Sequence, residues 1–308
     1  MGKGFATICQ DIIGWDLKSI FEKSCSDVGI KVSLRAVVND SVAVLLSQLQ
    51  VDVRRTKIGL IVGTGVNASV IVPTSILDEE RLARCNPREV ERSTDCILNT
   101  ELSLFGGGIL PRTRWDEEID AENEIPGFQP FEMMCSGRYM PEIARRIVKD
   151  RVFKGRLVPR GLEQMYGLDA QTMSAVEGEL DVAFARQQLL AKHSSKDKEV
   201  RAPVTLADVR LMQSIFSAVS CRAAAIIAAA LVALTVSVLP PVTPGASEEV
   251  VVAVNGAVME KYAGFRGRVQ EFVGLLGRRW NRRLVLASVA DGPLLGAAVA
   301  AACNSEDQ

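Results

Sequence analysis

Two short polar stretches follow apolar runs early in the chain, and their residue types suit phosphate chemistry. In the first, Gly63 and Gly65 flank Thr64, so a tight turn can present bare backbone N–H groups and a hydroxyl to an anion. In the second, Asn39 and Asp40 place an amide and a carboxylate at the end of another apolar run. A phosphate cradle beside a carboxylate is the arrangement that a phosphoryl-transfer site requires.

A further set of polar residues has the chemistry to hold a ligand rich in hydroxyl groups. Asp40, Glu101 and Glu132 stand at predicted strand ends or helix starts. Asn39 and Asn67 accompany them, and amides both donate and accept hydrogen bonds, as vicinal hydroxyls demand. Each acid is also typical of a helix cap or a solvated surface, and Asp40 taken alone favours the capping interpretation. Their joint occurrence favours a polyhydroxylated ligand.

The glycine turn lies inside the stretch 57–73, which predicts a β-hairpin. Ile58, Leu60 and Val62 alternate along the first arm, and an apolar β-branched run resumes after the turn. The same glycines match a dinucleotide-binding GxGxxA pattern, but that fold requires a helix directly after them. A strand at 69–72 would exclude it and favours a phosphate turn of the actin-like ATPase kind. A simple glycine hairpin is the remaining alternative.

Strands and helices alternate along the chain, which predicts an α/β fold. We expect strands at 32–38, 58–62, 70–72, 96–98, 249–254 and 283–288, and helices at 14–29, 42–49, 131–149, 206–239, 259–276 and 296–302. Several of these strands end in Asn-Asp, Gly-Thr-Gly, Asn-Gly or Asp-Gly. Such endings would place the ligand-binding loops along one edge of a sheet.

Composition narrows the classes of partner and site. The chain has 36 Lys and Arg residues against 37 Asp and Glu residues, with a formal net charge of −1, so we expect no nucleic-acid partner. The single histidine, His193, argues against a Ser-His-Asp hydrolase and a histidine-based metal site, and we predict no metal held by protein ligands. The seven cysteines are dispersed without a CxxC pair, which indicates reduced thiols and a cytoplasmic protein.

The stretch 223–239 is apolar enough to suggest a membrane span. It is short for a span, rich in alanine, and continuous with a helical pattern that begins near Leu206. Thr205 and Asp208 supply the signals of a helix start, and two consecutive prolines supply a stop. We therefore expect one long buried helix and no membrane span.

Nine segments in order resemble the eukaryotic, fungal-like hexokinase family over nearly the whole chain. They are MGKGF, VVNDSVAVL, KIGLIVGTGVNAS, NTE, LPRTRWDEEID, PGFQPFEMMCSGRYMPE, SCRAAAIIAA, AVNGAVMEKYAGF and ADGPLLGAAVAAA. Nine segments in one order are more specific than any single motif. The resemblance implies an α/β fold of the actin-like ATPase (ribonuclease H-like) type, with residues 1–308 forming the large C-terminal domain of a hexokinase.

The resemblance also implies ATP-dependent phosphorylation of a hexose (glucose, fructose or mannose) at its 6-hydroxyl, with Mg²⁺ accompanying ATP. By similarity, Asp40 is the general base that removes the hydroxyl proton, a role that partial burial would favour. Lys3 is expected over the sugar and the transferring phosphoryl group, where it supplies positive charge. The sugar-binding residues implied are Lys3, Asn39, Asp40, Asn67, Glu101 and Glu132, and the ATP-binding residues implied are Thr64, Gly65, Gly137, Arg138, Gly256, Ala257 and Val258.

The chain departs from the family mainly in the segments expected to bind ATP. Asn255 and Ala257 stand where the family has Asp and Ser or Thr, and the resemblance begins at the family's lysine segment. We expect the small N-terminal domain, with its LDLGGTN-type phosphate loop, to be absent. Because domain closure excludes water and aligns the phosphoryl group, the chain is then expected to be a weak or inactive kinase. The second hypothesis is a sugar sensor that binds glucose without turnover and acts through regulatory protein partners.

Overall fold

A computed structural model of the protein describes residues 14–83, 93–193, 204–243 and 245–304, and Lys3 lies outside them. The strands are β1 Thr56–Val62, β2 Val66–Pro73, β3 Asp95–Asn99, β4 Glu248–Asn255 and β5 Arg282–Ser288. The helices are α1 Leu17–Asp27, α2 Asp40–Leu49, α3 Glu79–Ala83, α4 Arg114–Ala121, α5 Pro130–Cys135, α6 Tyr139–Arg151, α7 Arg160–Glu163, α8 Ala170–Gly178, α9 Val182–His193, α10 Leu206–Val238, α11 Ala257–Lys261, α12 Phe265–Gly277 and α13 Gly292–Cys303. Short 3₁₀ helices lie at Thr74–Ile76, Leu102–Leu104 and Arg278–Trp280.

Five strands form one mixed sheet in the order β3-β2-β1-β4-β5. β1 and β2 are the arms of an antiparallel hairpin, and β3 pairs antiparallel with β2. On the other side, β4 and β5 run parallel to β1. The predicted hairpin at 57–73 and the predicted strands at 96–98, 249–254 and 283–288 are confirmed. Because β2 runs from Val66 to Pro73, no helix follows the glycines, and the dinucleotide-binding alternative is excluded.

The two faces of the sheet meet different helical layers, because successive side chains of a strand point to opposite sides. Ile58 and Leu60 of β1 are fully buried in the main core, which α10 and its neighbours complete. On the other face Gly59 allows α2 to approach the sheet, since a Cβ at Gly59 would clash with the Ser41 carbonyl oxygen. α13 packs along α2 in that second layer. The predicted α/β architecture is therefore a sheet between helices, with the strand ends available to a ligand.

The apolar stretch 223–239 belongs to the long helix α10, as predicted. Thr205 and Asp208 form a capping box at its start, and the helix ends at Val238 before the double proline. It is long and apolar enough to cross a membrane, yet 56% of its most apolar stretch is buried inside the fold. Its contacts with α6, α8, α9 and α12 identify it as the central helix of the core.

The strand predicted at 32–38 is wrong, because the segment is irregular and joins no sheet among the described residues. Its β-branched pattern supplies strand propensity, but a strand also needs a neighbour that pairs with its backbone groups. The segment lacks such a neighbour in the described chain, and Val32 and Val37 are exposed. The preceding helix α1 forms as predicted, with Leu17 and Phe21 half exposed.

Two helices predicted as continuous are each interrupted. The stretch 131–149 divides into α5 and α6 at Ser136, whose backbone is extended. The stretch 259–276 divides into α11 and α12 at Gly264, which has a left-handed φ of 72°. Apolar periodicity continues across both breaks and conceals them in the sequence. The first break proves to be part of the candidate site.

Candidate functional site

The turn of the β1–β2 hairpin forms the centre of the site. Gly63 N donates a hydrogen bond to Gly65 O over 2.9 Å, which closes the turn. Thr64 stands exposed at its tip, at the edge of the sheet. The hydroxyl predicted to approach an anion is therefore accessible at the place where the hairpin ends.

Helix α5 and the break that follows it hold the two flanks of this turn. The Glu132 carboxylate, in a residue only 3% exposed, accepts a hydrogen bond from Val66 N at 3.0 Å. Further along the same stretch, Gly137 N donates to Gly63 O at 2.8 Å. A Cβ at Gly137 would lie 2.8 Å from both Gly63 O and Val258 Cγ2, so this approach requires glycine. We call this pair of hydrogen bonds the hairpin clamp.

The end of β4 packs against the same turn from the other side. Gly256 adopts a φ of 110°, and a side chain there would clash with the Val62 carbonyl. Both the backbone angle and the close contact therefore demand glycine. Ala257 and Val258 begin α11 directly afterwards, beside the hairpin turn.

Asn255, which departs from the family's Asp, has its own hydrogen bonds. Its Nδ2 donates to Glu260 Oε1 at 2.9 Å and to the Val289 carbonyl oxygen at 2.8 Å. A carboxylate has no proton to donate to either acceptor at neutral pH. The amide therefore ties β4 to α11 and to Val289, just after β5, through bonds that an ionised aspartate at this position could not donate.

A cavity of about 1100 Å³ opens between the hairpin turn, the α5–α6 break and the start of α11. Five of the seven residues predicted to bind ATP line it, namely Thr64, Gly137, Arg138, Ala257 and Val258. The other two, Gly65 and Gly256, are the turn glycines next to the lining. Arg138 and Lys261 bring positive charge to the wall, and Tyr166 brings an aromatic ring. The volume lies slightly above the usual range for ligand pockets, about 300–1,000 Å³.

A network of amides and carboxylates begins on the other side of the hairpin turn. Asn67, on β2 just after the turn, donates from Nδ2 to Asn39 Oδ1 at 3.2 Å and to Asn99 Oδ1 at 2.9 Å. Its own Oδ1 accepts from Leu102 N at 3.2 Å. Asn99 Nδ2 in turn donates to Glu101 Oε1 at 2.8 Å. Residues from β2, β3 and the start of α2 are thereby brought together.

Asp40 lies next to this network, at the first position of α2. Asn39 caps the helix, because its Oδ1 accepts from Ser41 N at 2.9 Å and from Ser41 Oγ at 2.7 Å. Asp40 Oδ1 also accepts from Ser41 N, at 2.8 Å. The Asp40 side chain is exposed, so the fold does not give it the partial burial that would favour a general base.

The described residues contain no group of three or more His, Cys, Asp and Glu side chains able to hold a metal ion. Lys3 lies outside the described residues, so its predicted role stays a prediction. Of the remaining predicted sugar residues, Asn39, Asp40, Asn67 and Glu101 lie in or beside one network. Glu132 joins them through Val66, the residue that precedes Asn67.

A family model described as hexokinase matches residues 57–303 of the chain. The chain belongs to the hexokinase family. The match includes the hairpin, the clamp and the end of β4, and it confirms the family resemblance seen in the sequence.

Hexokinases from several sources align with almost the whole chain. Hexokinase-1 of Oryza sativa subsp. japonica is 28% identical over 314 residues, covering 99% of this chain and 60% of the rice protein. A glucokinase of Aspergillus niger is 27% identical over 330 residues, covering 99% of this chain and 64% of the fungal protein. The chain thus spans less than two thirds of the length of these relatives, and its assignment to one domain of a hexokinase stays a prediction.

Solved hexokinase structures share the fold. The hexokinase from Schistosoma mansoni complexed with glucose aligns with a TM-score of 0.77 and 26% identity, covering 92% of this chain and 61% of that one. A second hexokinase crystal structure aligns with a TM-score of 0.72 and 25% identity, covering 95% of this chain and 60% of the other. The predicted actin-like α/β fold is confirmed.

Two residues of this hexokinase-family site were not singled out by sequence reasoning. Asn99 links Asn67 to Glu101, and only the register of the sheet, which places Asn99 opposite Ser69, brings it there. Its position at the end of a predicted strand was the available signal. Tyr166 lines the cavity from an irregular loop, and nothing in the local sequence distinguishes it.

Proposed function

We propose that the chain carries the acceptor and nucleotide sites of an ATP-dependent hexose kinase that phosphorylates the 6-hydroxyl of glucose. The observation that carries the proposal is the placement of two ligand regions on one hairpin. The amide and carboxylate network lies on one side of the Gly63–Gly65 turn, and the cavity with Arg138 and Lys261 lies on the other. A phosphoryl-transfer site needs such an acceptor region and such a phosphate region next to each other.

On the sugar side, Asn39, Asn67, Glu101 and Glu132 hydrogen-bond the hexose hydroxyls in this proposal. Asp40 removes the proton of the attacking hydroxyl, and a bound sugar would reduce its present exposure to water. A general base of this kind contributes about 10²- to 10⁴-fold to the rate.

On the nucleotide side, Thr64 and the backbone of Gly65 face the phosphates, and Arg138 supplies charge and N–H donors to them. Ala257 and Val258 border the nucleotide. Mg²⁺ would enter with ATP and balance the phosphate charge, and Lys3 would add a further positive charge. All the relatives named above are hexokinases or a glucokinase, which favours the kinase over the sugar-sensor hypothesis.

The test is glucose-dependent release of ADP from MgATP, measured beside glucose binding by calorimetry. Asp40→Ala is expected to lower the turnover rate at least 100-fold while most of the glucose affinity remains. Asp27→Ala, an exposed aspartate at the end of α1, serves as the matched control and is expected to leave both unchanged. Glucose binding without turnover by the parent chain would refute the kinase and support the sensor. Equal turnover by Asp40→Ala and the parent would refute the base assignment.

A further inference from the structure

Tyr166 occupies an unusual position on the cavity wall. Its backbone is left-handed, with a φ of 57°, and its side chain lies at the lining of the cavity next to Arg138. The Arg138 guanidinium lies 5.2 Å from the centre of the Tyr166 ring and 5.5 Å from the centre of the Tyr139 ring. The two rings meet edge to face at 6.2 Å. Arg138 is thus held against two aromatic side chains.

The loop that carries Tyr166 is anchored from behind by a buried carboxylate. Tyr166 N donates to Glu142 Oε2 at 2.7 Å. Glu142 is fully buried and also accepts from Arg145 Nη2 at 2.6 Å and from Arg146 Nε at 2.9 Å. Burial alone would raise the pKa of Glu142, but the hydrogen bonds from Arg145 and the Tyr166 amide lower it below its ordinary value. The carboxylate therefore stays charged and fixes the amide of Tyr166.

The next residue, Gly167, packs against the preceding part of the same loop. A Cβ at Gly167 would overlap the carbonyl oxygen of Gly161, and Gly167 N donates to Gln164 O at 3.0 Å. A non-glycine residue in the left-handed region is strained, and such strain persists only where the surroundings fix it. The anchored loop therefore keeps the Tyr166 ring in one place beside Arg138.

Arg138 is exposed, and the contacts that its guanidinium makes within the described part of the chain are those with the two aromatic rings. A cation–π contact is made with the positive charge of the guanidinium and does not require a carboxylate partner, so N–H groups of Arg138 remain available to an anion. Those groups are the ones that bind phosphate oxygens in pairs. An arginine without this support would have to lose the freedom of a long side chain when a nucleotide binds.

We propose that Tyr166 is a positioning residue that holds Arg138 in place for the phosphate groups of the bound nucleotide. The inference rests on the proposed function and deepens it, since it adds a determinant of nucleotide affinity. A cation–π contact of this exposure corresponds to about a 2- to 5-fold change in affinity.

The test is a double-mutant cycle on MgADP affinity, measured by calorimetry on the full chain, with glucose affinity measured in parallel. Tyr166→Leu is expected to weaken MgADP binding about 2- to 5-fold. Tyr166→Phe retains the ring and is expected to bind MgADP as tightly as the parent. In an Arg138→Met background, Tyr166→Leu is expected to have no further effect, because the residue acts through the arginine. Phe184→Leu, an exposed aromatic on α9 away from the cavity, is the matched control.

The outcomes separate this inference from the proposed function. If the parent binds MgADP and Tyr166→Leu binds it equally well, the positioning role is wrong while the nucleotide site stands. An equal loss in the parent and Arg138→Met backgrounds would also overturn the role, because Tyr166 would then act independently of Arg138. If the parent binds no MgADP, the nucleotide site itself is overturned and this inference with it. Glucose affinity is expected to be the same in all variants.

Discussion

The hairpin clamp can be tested by adding one methyl group at Gly137. The Cβ of Gly137→Ala would lie 2.8 Å from the Gly63 carbonyl oxygen and 2.8 Å from Val258 Cγ2. Neither neighbour is the loose end of a flexible side chain. Gly63 O already accepts the Gly137 N–H bond at 2.8 Å, and Val258 is buried at the start of α11. The substitution must therefore push the hairpin turn, α11 and the α5–α6 break apart.

Overpacking of this kind typically costs about 1–3 kcal/mol of unfolding free energy. The displaced residues line the cavity, so the substitution is also expected to lower the affinity for the nucleotide. A loss of 1 kcal/mol corresponds to about 5-fold weaker binding, and we expect at least that effect on MgADP. The network around Asn67 lies beyond the turn, and glucose binding is expected to weaken less.

Urea unfolding at 25 °C measures the stability change, and calorimetric titration measures the two affinities. Gly274→Ala is the matched control: it lies within α12, and nothing lies within 4 Å of its added Cβ. That control is expected to stabilise the protein by about 0.5–1 kcal/mol, since alanine favours a helix over glycine. If Gly137→Ala changed the unfolding free energy and the MgADP affinity no more than the control does, the close packing of the clamp would be refuted.

Three further predictions follow from hydrogen bonds outside the clamp. Asn255→Asp removes both donated hydrogen bonds and places a second carboxylate beside Glu260. We expect the free energy of unfolding, measured with urea, to fall by about 1–3 kcal/mol, and to fall less in Asn255→Ser. The hydrogen bond from Arg156 lowers the pKa of Asp208 to about 2. The charged Asp208 therefore adds fully to the free energy of unfolding above about pH 4, and this contribution is lost as the pH falls toward 2. In Asp208→Asn, the free energy of unfolding measured with urea should change less with pH between about 4 and 2. Asn99→Ala removes the oxygen that accepts a hydrogen bond from Asn67. Calorimetry should then show weaker glucose binding and unchanged nucleotide binding.

Local patterns predicted the elements whose causes are local. The hairpin follows from alternating apolar residues around two glycines, and the start of α10 follows from the capping residues Thr205 and Asp208. These signals operate within a few residues of the feature that they determine. The polar residues at strand ends were likewise visible, because a strand that ends in Asn or Gly-Thr-Gly marks its own end.

The elements that were wrong depend on distant partners. The segment 32–38 has a strand pattern, but pairing depends on which other strand is available to it, and the sequence does not contain that information locally. The helix predicted at 131–149 breaks because Gly137 N bonds to Gly63 O rather than to the preceding turn. Asn99 and Tyr166 were missed for the same reason, since sheet register and a buried carboxylate place them.

The clamp also explains why the two ligand regions can act as one site. Phosphoryl transfer requires the attacking oxygen and the phosphorus to be held about 3–3.5 Å apart and in line. Glu132, which we propose to bind the sugar, accepts a hydrogen bond from Val66 N, and Gly137, which we propose to lie beside the nucleotide, donates one to Gly63 O. Both residues belong to one short stretch of chain, and both partners belong to one turn. If the proposed function is right, these two hydrogen bonds tie the backbone beside the sugar region to the backbone beside the nucleotide cavity, and they would help to fix the distance between acceptor and phosphate.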